Sequence, residues 1–357
     1  MRHGHQHPTP ARLGRRALLA AGLASGALAV TAGVARAARP GPARGPRDEA
    51  PRVVVATNEP WGTYHVAPLL DEARARGLDL VQLVPDLDGV APDDPVPVAT
   101  PDQVTTADLL VVTGAEPWPV ECVDRFRRLP VAASTLAYLR PEEAEGANRV
   151  RSRIRAVTAS SPADARSFAA HLGTSRRIDV VGSPQTDSLP TRDPEPGLAL
   201  VLTSVTHPDE TGGAAPGARL LLEAASRLRA AGWRILVGLH PREDPALWGE
   251  YEISPVSSLE SSARAEVAIG IPGTVFPLIA AVGTPLVGCV DPGLSVPDHL
   301  RAVCSATIQD ADRAASEVER ATPPDPAVLA DAVGPVGGSA RRLLDAWQRV
   351  AATSRPG

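Results

Sequence analysis

The chain has 357 residues, of which 43% are apolar and only 3% aromatic, enough Ala, Leu and Val to fill the core of one large α/β domain or two of ordinary size and to exclude wholesale disorder. All 36 basic residues are arginine, which excludes Schiff-base and P-loop lysine chemistry and fits a GC-rich genome. The formal net charge is −5.

In chain order, residues 1–37 read as a leader. Gly14-Arg15-Arg16-Ala17-Leu18-Leu19 opens an Ala- and Gly-rich run that ends at Ala35-Arg36-Ala37. A charged start, a mild apolar stretch and an A-x-A site make an export signal. The paired arginines resemble the twin-arginine type, which carries folded proteins across the bacterial inner membrane; the alternative is an uncleaved anchor. The expected location is therefore extracytoplasmic, secreted or in the cell envelope, with the inner membrane met only during export. Removing the leader takes away five arginines and no acid, leaving 31 Arg against 41 Asp plus Glu, a net charge of −10. Such a surface is a poor partner for nucleic acid.

Residues 38–50 read as a flexible tether. Beyond it, short β-branched or apolar runs alternate with helical patterns. Strands are predicted at 52–56, 78–84, 109–112, 131–133, 154–158 and 178–181, with a helix over 66–76 and a long surface loop over 85–105. Ser161-Pro162 starts a helix running to about Leu172, capped by Ser160 or Ser161. Residues 188–197 look like a linker. The second half has strands at 198–202, 235–239, 267–271 and 286–289, a helix over 217–231 and a closing amphipathic helix over 341–350. This alternation predicts an α/β fold of two Rossmann-like domains, 51–190 and 191–357, with parallel sheets facing an interdomain cleft.

Open α/β sheets bind ligands beyond the carboxyl ends of their strands, and here those exits carry unusual residues. The strand at 235–239 runs straight into His240-Pro241-Arg242-Glu243-Asp244. The first strand of the chain runs into Thr57–His65, with His65 at its end. The first strand of the second half leads to Thr206-His207-Pro208-Asp209-Glu210. Pro272-Gly273-Thr274 precedes an apolar helix, where Gly273 admits a close ligand and free N–H groups suit a phosphate; capping alone also explains Thr274. His65, His207 and His240 are three of the five histidines after the leader. His171 and His299 read as structural, the latter in a Pro-Asp-His turn. Trp61 and Trp118 either stack on a sugar ring or pack against a neighbouring domain. Asp187 reads as a turn cap. Cys122, Cys289 and Cys304 have no metal-ligand spacing and read as buried free thiols, a Cys289–Cys304 disulfide being the alternative. No cofactor or metal is indicated, and nothing specifies an oligomeric state.

Several stretches, in order, resemble the UDP-N-acetylglucosamine 2-epimerases, within the two-Rossmann-domain GT-B fold of many glycosyltransferases. Ala67-Pro68-Leu69 is similar to that family's A-P-L. Pro141-Glu142-Glu143 with Asn148-Arg149 resembles P-E-E-x-N-R, with three extra residues. Ser161-Pro162-Ala163-Asp164 resembles S-P-T-E, and Val181–Leu189 resembles V-G-N-T-V-I-D-A-L. His207-Pro208-Asp209-Glu210 resembles H-R-R-E, and Gly273 to Pro285 resembles the stretch ending in G-K-P. The resemblance covers most of residues 52–290. It implies elimination and re-addition of a nucleotide on a sugar, with Glu142 and Asp164 as acid and base, His207 facing the leaving diphosphate and Glu210 fixing its loop. The residues themselves add His65, His240, Arg242, Gly273 and Thr274 as ligand-binding candidates.

The departures are as informative. Pro277 and Leu278 stand where the family has paired glutamates for ribose, and Ala115 stands where it has a catalytic aspartate, with Glu116 beside it. Two functions follow: an exported enzyme acting on a nucleotide-linked or phosphorylated sugar in the cell envelope, or a scaffold that has lost catalysis and binds a sugar or phosphate. His240-Pro241 also resembles the H-P of CDP-glycerol transferases, a phosphotransferase alternative on the same fold.

Overall fold

The computed structural model describes residues 50–136, 141–204, 216–240 and 243–353. The leader, all but the last residue of the tether, and the candidates His207, Glu210 and Arg242 lie outside the described residues. No helix among the described residues is long and apolar enough to cross a membrane.

Seven parallel strands form the first sheet: β1 (Arg52–Ala56), β2 (Asp79–Leu83), β3 (Val98–Ala99), β4 (Leu109–Val112), β5 (Val131–Ser134), β6 (Ile154–Ala159) and β7 (Asp179–Val180), in the order β3-β2-β1-β4-β5-β6-β7. Its helices are α1 (Leu70–Ala75), α2 (Pro117–Arg125), α3 (Ala147–Arg151) and α4 (Pro162–His171). Six parallel strands form the second: β8 (Glu195–Leu202), β9 (Arg234–Gly238), β10 (Glu252–Ile253), β11 (Ala265–Gly270), β12 (Leu286–Cys289) and β13 (Ala306–Ile308), in the order β10-β9-β8-β11-β12-β13. Around it lie α5 (Pro216–Ala230), α6 (Ser258–Ser262), α7 (Val275–Val282), α8 (Asp298–Ala302), α9 (Ala314–Glu319) and α10 (Pro326–Val333), and α11 (Ser339–Ala352) ends the described chain. The two-sheet α/β fold predicted from the alternation is the fold observed.

The central strands are apolar on both faces because helices cover both. In β1, Val53 and Val55 face one core cluster while Val54 and Ala56 face another; β8 splits Ala199 and Val201 from Leu198, Leu200 and Leu202 in the same way. Two-residue strands such as β3 and β10 have no pattern long enough to read. β8 begins inside the expected linker, because Glu195 is held by Arg234 and Arg264 on neighbouring segments.

The closing helix does not join the half that precedes it. Its apolar face (Ala340, Leu343, Leu344, Trp347) packs on Val53, Val55, Leu109 and Val111 of the first sheet. Asp187 fixes its start, its two carboxylate oxygens accepting the N–H groups of Ser339 (2.6 Å) and Ala340 (2.8 Å). Trp347 Nε1 donates to the buried Ser134 Oγ at 2.9 Å, and Arg76 bonds Asp345 and Gln348 at 2.6 and 3.0 Å. On its way, the chain passes α4 so closely that a Cβ on Gly334 would lie 2.3 Å from Ser160 O, and its φ of +73° is itself a glycine conformation.

All three cysteines are free. Burial pushes the Cys122 and Cys304 thiols up to about 12 and raises that of Cys289 as well, so none is poised as a nucleophile.

Candidate functional site

Strand order reverses between β1 and β4 in the first sheet and between β8 and β11 in the second. A cleft opens beyond the carboxyl ends at such switch points, and the exits there are built with care. Asn58 N–H donates to Thr113 Oγ1 (2.8 Å), tying the exit of β1 to that of β4. A Cβ on Gly114 would lie 2.4 Å from the Asn58 amide, which would have to move aside. Gln82 Nε2 reaches Pro60 O at 2.6 Å, and Tyr64 Oη donates to Glu59 Oε2 at 2.6 Å. In the second sheet, His240 N–H donates to Thr203 Oγ1 at 2.7 Å. Its ring then meets the Tyr64 ring edge-on, 6.2 Å between centroids. The strand that ends on His240 thus delivers it against the first half.

A cavity of about 70 Å³ lies between the halves, opening into about 730 Å³ of space once its solvent-filled mouth is counted. The first half contributes His65, Thr135, Leu136, Ser160, Asp164, Ser167, Ser183 and Gln185; the second contributes Thr274, Pro277, Leu278, His299 and Leu300, and Ala332 and Val333 close the back. Among the described residues lining it there is no arginine.

His65 is only 6% exposed, and neither ring nitrogen has a hydrogen-bond partner. Its Nε2 stands 3.7 Å from Glu59 Oε2, too long for a hydrogen bond. A buried polar group is normally bonded, so an unbonded imidazole in a cavity wall is suited to meet a ligand.

Asp164 is the third residue of α4, whose cap is Ser161: Asp164 N–H donates to Ser161 Oγ at 3.0 Å. A third of its side chain is exposed to the cavity, while protein crowds the carboxyl from the other sides. That enclosure pushes its carboxyl up to about 6, against a smaller lowering by the Ser161 hydroxyl. A helix N-terminus favours the carboxylate, and here desolvation outweighs it. His299 Nε2 lies 3.6 Å from Asp164 Oδ1. Burial and then the Arg166 guanidinium lower the His299 pKa, with Asp331 and Asp298 opposing. Near neutral pH the pair is a carboxylate beside a neutral imidazole, the arrangement of a base and its partner.

Thr274 lines the cavity and, although at the N-cap of α7, makes no capping bond with its side chain. Its hydroxyl therefore has no structural duty there. Gly273 sits one residue earlier, half-buried, with no side-chain clash to explain its identity.

Other candidates fall elsewhere. Glu142 is exposed and is absent from the cavity wall. The next residues are tied to the far end of α4: Ala144 N–H donates to His171 O at 3.0 Å, and Arg151 joins Glu143 Oε1 (3.0 Å) to Gly173 O (2.6 Å). Asp164 is seven residues nearer the helix start, roughly 10 Å along the axis. The structure does not bring the two acids together. Trp118 packs on the first core, and Trp61 is exposed with its indole N–H bonded to Asp86 O at 3.3 Å; neither lines the cavity. Glu243, just past the exit of β9, is buried. His171 is structural as expected, its Nε2 accepting Ala115 N–H at 3.1 Å. His299, read as structural from its turn, lines the cavity beside Asp164, and no local pattern marks its approach to α4, 135 positions away in sequence. Among the described residues, no group of three His, Cys, Asp or Glu side chains is placed to hold a metal ion.

No protein-family model matches the chain, and no curated protein matches it in sequence. Solved structures do. The wall teichoic acid polymerase TagF is similar with a TM-score of 0.59 at 10% identity, over 85% of this chain and 89% of that one. S. aureus MnaA, solved with UDP, is similar with a TM-score of 0.53 at 14% identity, over 82% and 95%. The UDP-GlcNAc 2-epimerase of Methanocaldococcus jannaschii, solved with UDP-GlcNAc and UDP, gives 0.51 at 14% identity, over 82% and 98%. At these identities the likeness is one of fold, and the chain has the GT-B architecture: two parallel α/β sheets whose strand exits face one cleft.

Proposed function

We propose that the cleft binds a nucleotide-linked or phosphorylated sugar and that the chain is an exported enzyme acting on it, with Asp164 as the acid–base group. The observation that carries this reading is the buried His65 imidazole, unbonded at both nitrogens, in the same wall as Asp164. A wall of hydroxyls, one carboxyl and imidazoles suits a ligand rich in hydroxyl groups. A carboxyl raised to about 6 accepts and returns a proton near neutral pH. Fold likeness to UDP-GlcNAc 2-epimerases and to a teichoic acid polymerase supports the same ligand class. The anionic portion falls to His240 and to the first N–H groups of α7 beside Gly273-Thr274. Glu142 takes no part, because it is exposed at the other end of α4. The leader, read as a twin-arginine signal, supports a cell-envelope location for this activity.

One observation favours a second reading, a binding protein without catalysis. Pro277 and Leu278 line the cavity as apolar residues, and Ala115 is buried with its N–H spent on His171.

Thermal unfolding of the full chain with UDP, CDP, UDP-N-acetylglucosamine, hexose phosphates and free amino sugars separates the two. A ligand at 100 times its Kd adds about 2.7 kcal/mol, a rise of several degrees. A rise with UDP-N-acetylglucosamine that His65→Gln abolishes is the expected result. A response to plain sugars alone moves the chain to the second reading, and no response to any member overturns both.

A further inference from the structure

A structural histidine in this protein looks like His171, buried with its ring nitrogen bonded to a backbone N–H. His299 is different. Its side chain, 13% exposed, projects from α8 into the cavity, and its Nε2 lies a few tenths of an ångström beyond bonding distance from Asp164 Oδ1. The two residues come from opposite halves, so closing the cleft slightly would turn the contact into a hydrogen bond. We propose that His299 is the proton partner of Asp164, a positioning residue that the second half of the chain supplies to orient the Asp164 carboxylate and share the proton exchanged with a bound sugar.

The charged surroundings are few. From α4 come Asp164, 3.6 Å from the ring, and Arg166; from α10 comes Asp331; α8 itself carries Asp298 and Arg301, which pair with each other. Arg166 and Asp331 bond each other at two points, 2.9 and 2.6 Å, so their charges largely offset and their link fixes α4 against α10 beside the pair. The cavity residues of α7 (Thr274, Pro277, Leu278) carry no charge, and His65 faces the same void. One proton then has two resting places: on Asp164 with His299 neutral, or on His299 Nε2 with Asp164 ionised. Moving it between Oδ1 and Nε2 changes no net charge. The coupled groups titrate as a pair, in two steps.

This inference rests on Asp164 being the acid–base group, and its test separates failure of the pair from failure of the ligand. The imidazole signals of the full chain are followed by NMR from pH 4 to 9, in the wild type and in Asp164→Asn, with folding checked by circular dichroism. The expected result is a two-step titration of His299 that Asp164→Asn reduces to one step, its midpoint lower by about one unit, while His171 is unmoved. An identical His299 titration in the two folded proteins overturns the pair. UDP-N-acetylglucosamine is then added as the probe. A shifted His299 titration supports the inference, whereas binding seen by calorimetry that leaves His299 unchanged overturns it. Coupling with no binding of the probe keeps the pair and overturns the proposed ligand.

Discussion

The two halves send different chemistry into the same cleft. The first presents an imidazole, a carboxyl and a row of hydroxyls, on exits laced by short bonds such as Asn58 to Thr113. The second presents the apolar side chains of Pro277, Leu278 and Leu300, interrupted by Thr274 and His299. In the cavity wall, then, the polar groups of the first half face a mostly apolar surface of the second, to which His299 brings one titratable group. The halves also differ in how they are completed. The first sheet has one face covered by α11, a helix that follows the second half in sequence, so the half that holds the polar wall depends on a segment made after its partner.

The strongest way to break this asymmetry is to remove the indole that fastens α11. Trp347 is fully buried and bonded to Ser134, whereas Trp248, its fully buried counterpart in the second half, has no partner for its N–H. Trp347→Ala should cost about 3–5 kcal/mol in urea denaturation. Trp347→Phe keeps most of the volume and should lose about 1 kcal/mol more than Trp248→Phe, the worth of one buried hydrogen bond. Equal losses in the two Phe variants would mean that the bond to Ser134 contributes nothing and that volume alone holds the helix.

A smaller effect sharpens the picture of the polar wall. The Asp164 carboxyl keeps its proton up to about pH 6 in the folded chain, whereas an unfolded aspartate releases it near 3.9. Between those values the folded state binds more protons, so stability falls as pH rises through the window. Asparagine has no such dependence. Asp164→Asn should therefore be more stable than the wild type at pH 8, by about 1 kcal/mol once screening of the exposed third is allowed for. The advantage should vanish below about pH 4. A gain that stays constant with pH would show that the carboxyl is not strained by its enclosure. Stability given up at one acid, in a wall otherwise made of neutral groups, is what a functional site predicts.

Most of the fold was legible because its central strands are buried on both faces and read as unbroken apolar runs, such as Val53–Val55 and Leu109–Val112. The helix start at Ser161-Pro162 was equally plain, since a cap followed by proline has a local cause. What escaped reading depends on distance. That α11 covers the first sheet follows from a packing face and from Asp187, 152 residues before Ser339, and no local periodicity names the surface such a helix will meet. The site divides in the same way. His65, Asp164, His240 and Thr274 stand at strand exits or helix starts, places that topology makes into cleft walls. Glu142 had the right motif but lies at the far end of α4. His299 had no motif, and only the joining of α8 to α4 gives it a role.

The smallest expected effect concerns the joint itself. Arg166 and Asp331 are bonded at two points between α4 and α10, yet both remain partly exposed. The mutual bond raises the Arg166 pKa and lowers that of Asp331. A depressed carboxylate contributes stability above its unfolded pKa and loses it as pH falls through the folded value, but an exposed pair is worth only about 0.5 kcal/mol. Asp331→Ala should hence unfold almost as the wild type does at pH 7. Its signature lies at His299, whose pKa Asp331 raises and Arg166 lowers. Removing the acid leaves the guanidinium unopposed, so both changes move the His299 titration downward. A lower His299 midpoint with nearly unchanged stability would mark the joint as part of the electrostatics of the cleft. A fall in stability with His299 unmoved would make it a strut between the halves and nothing more.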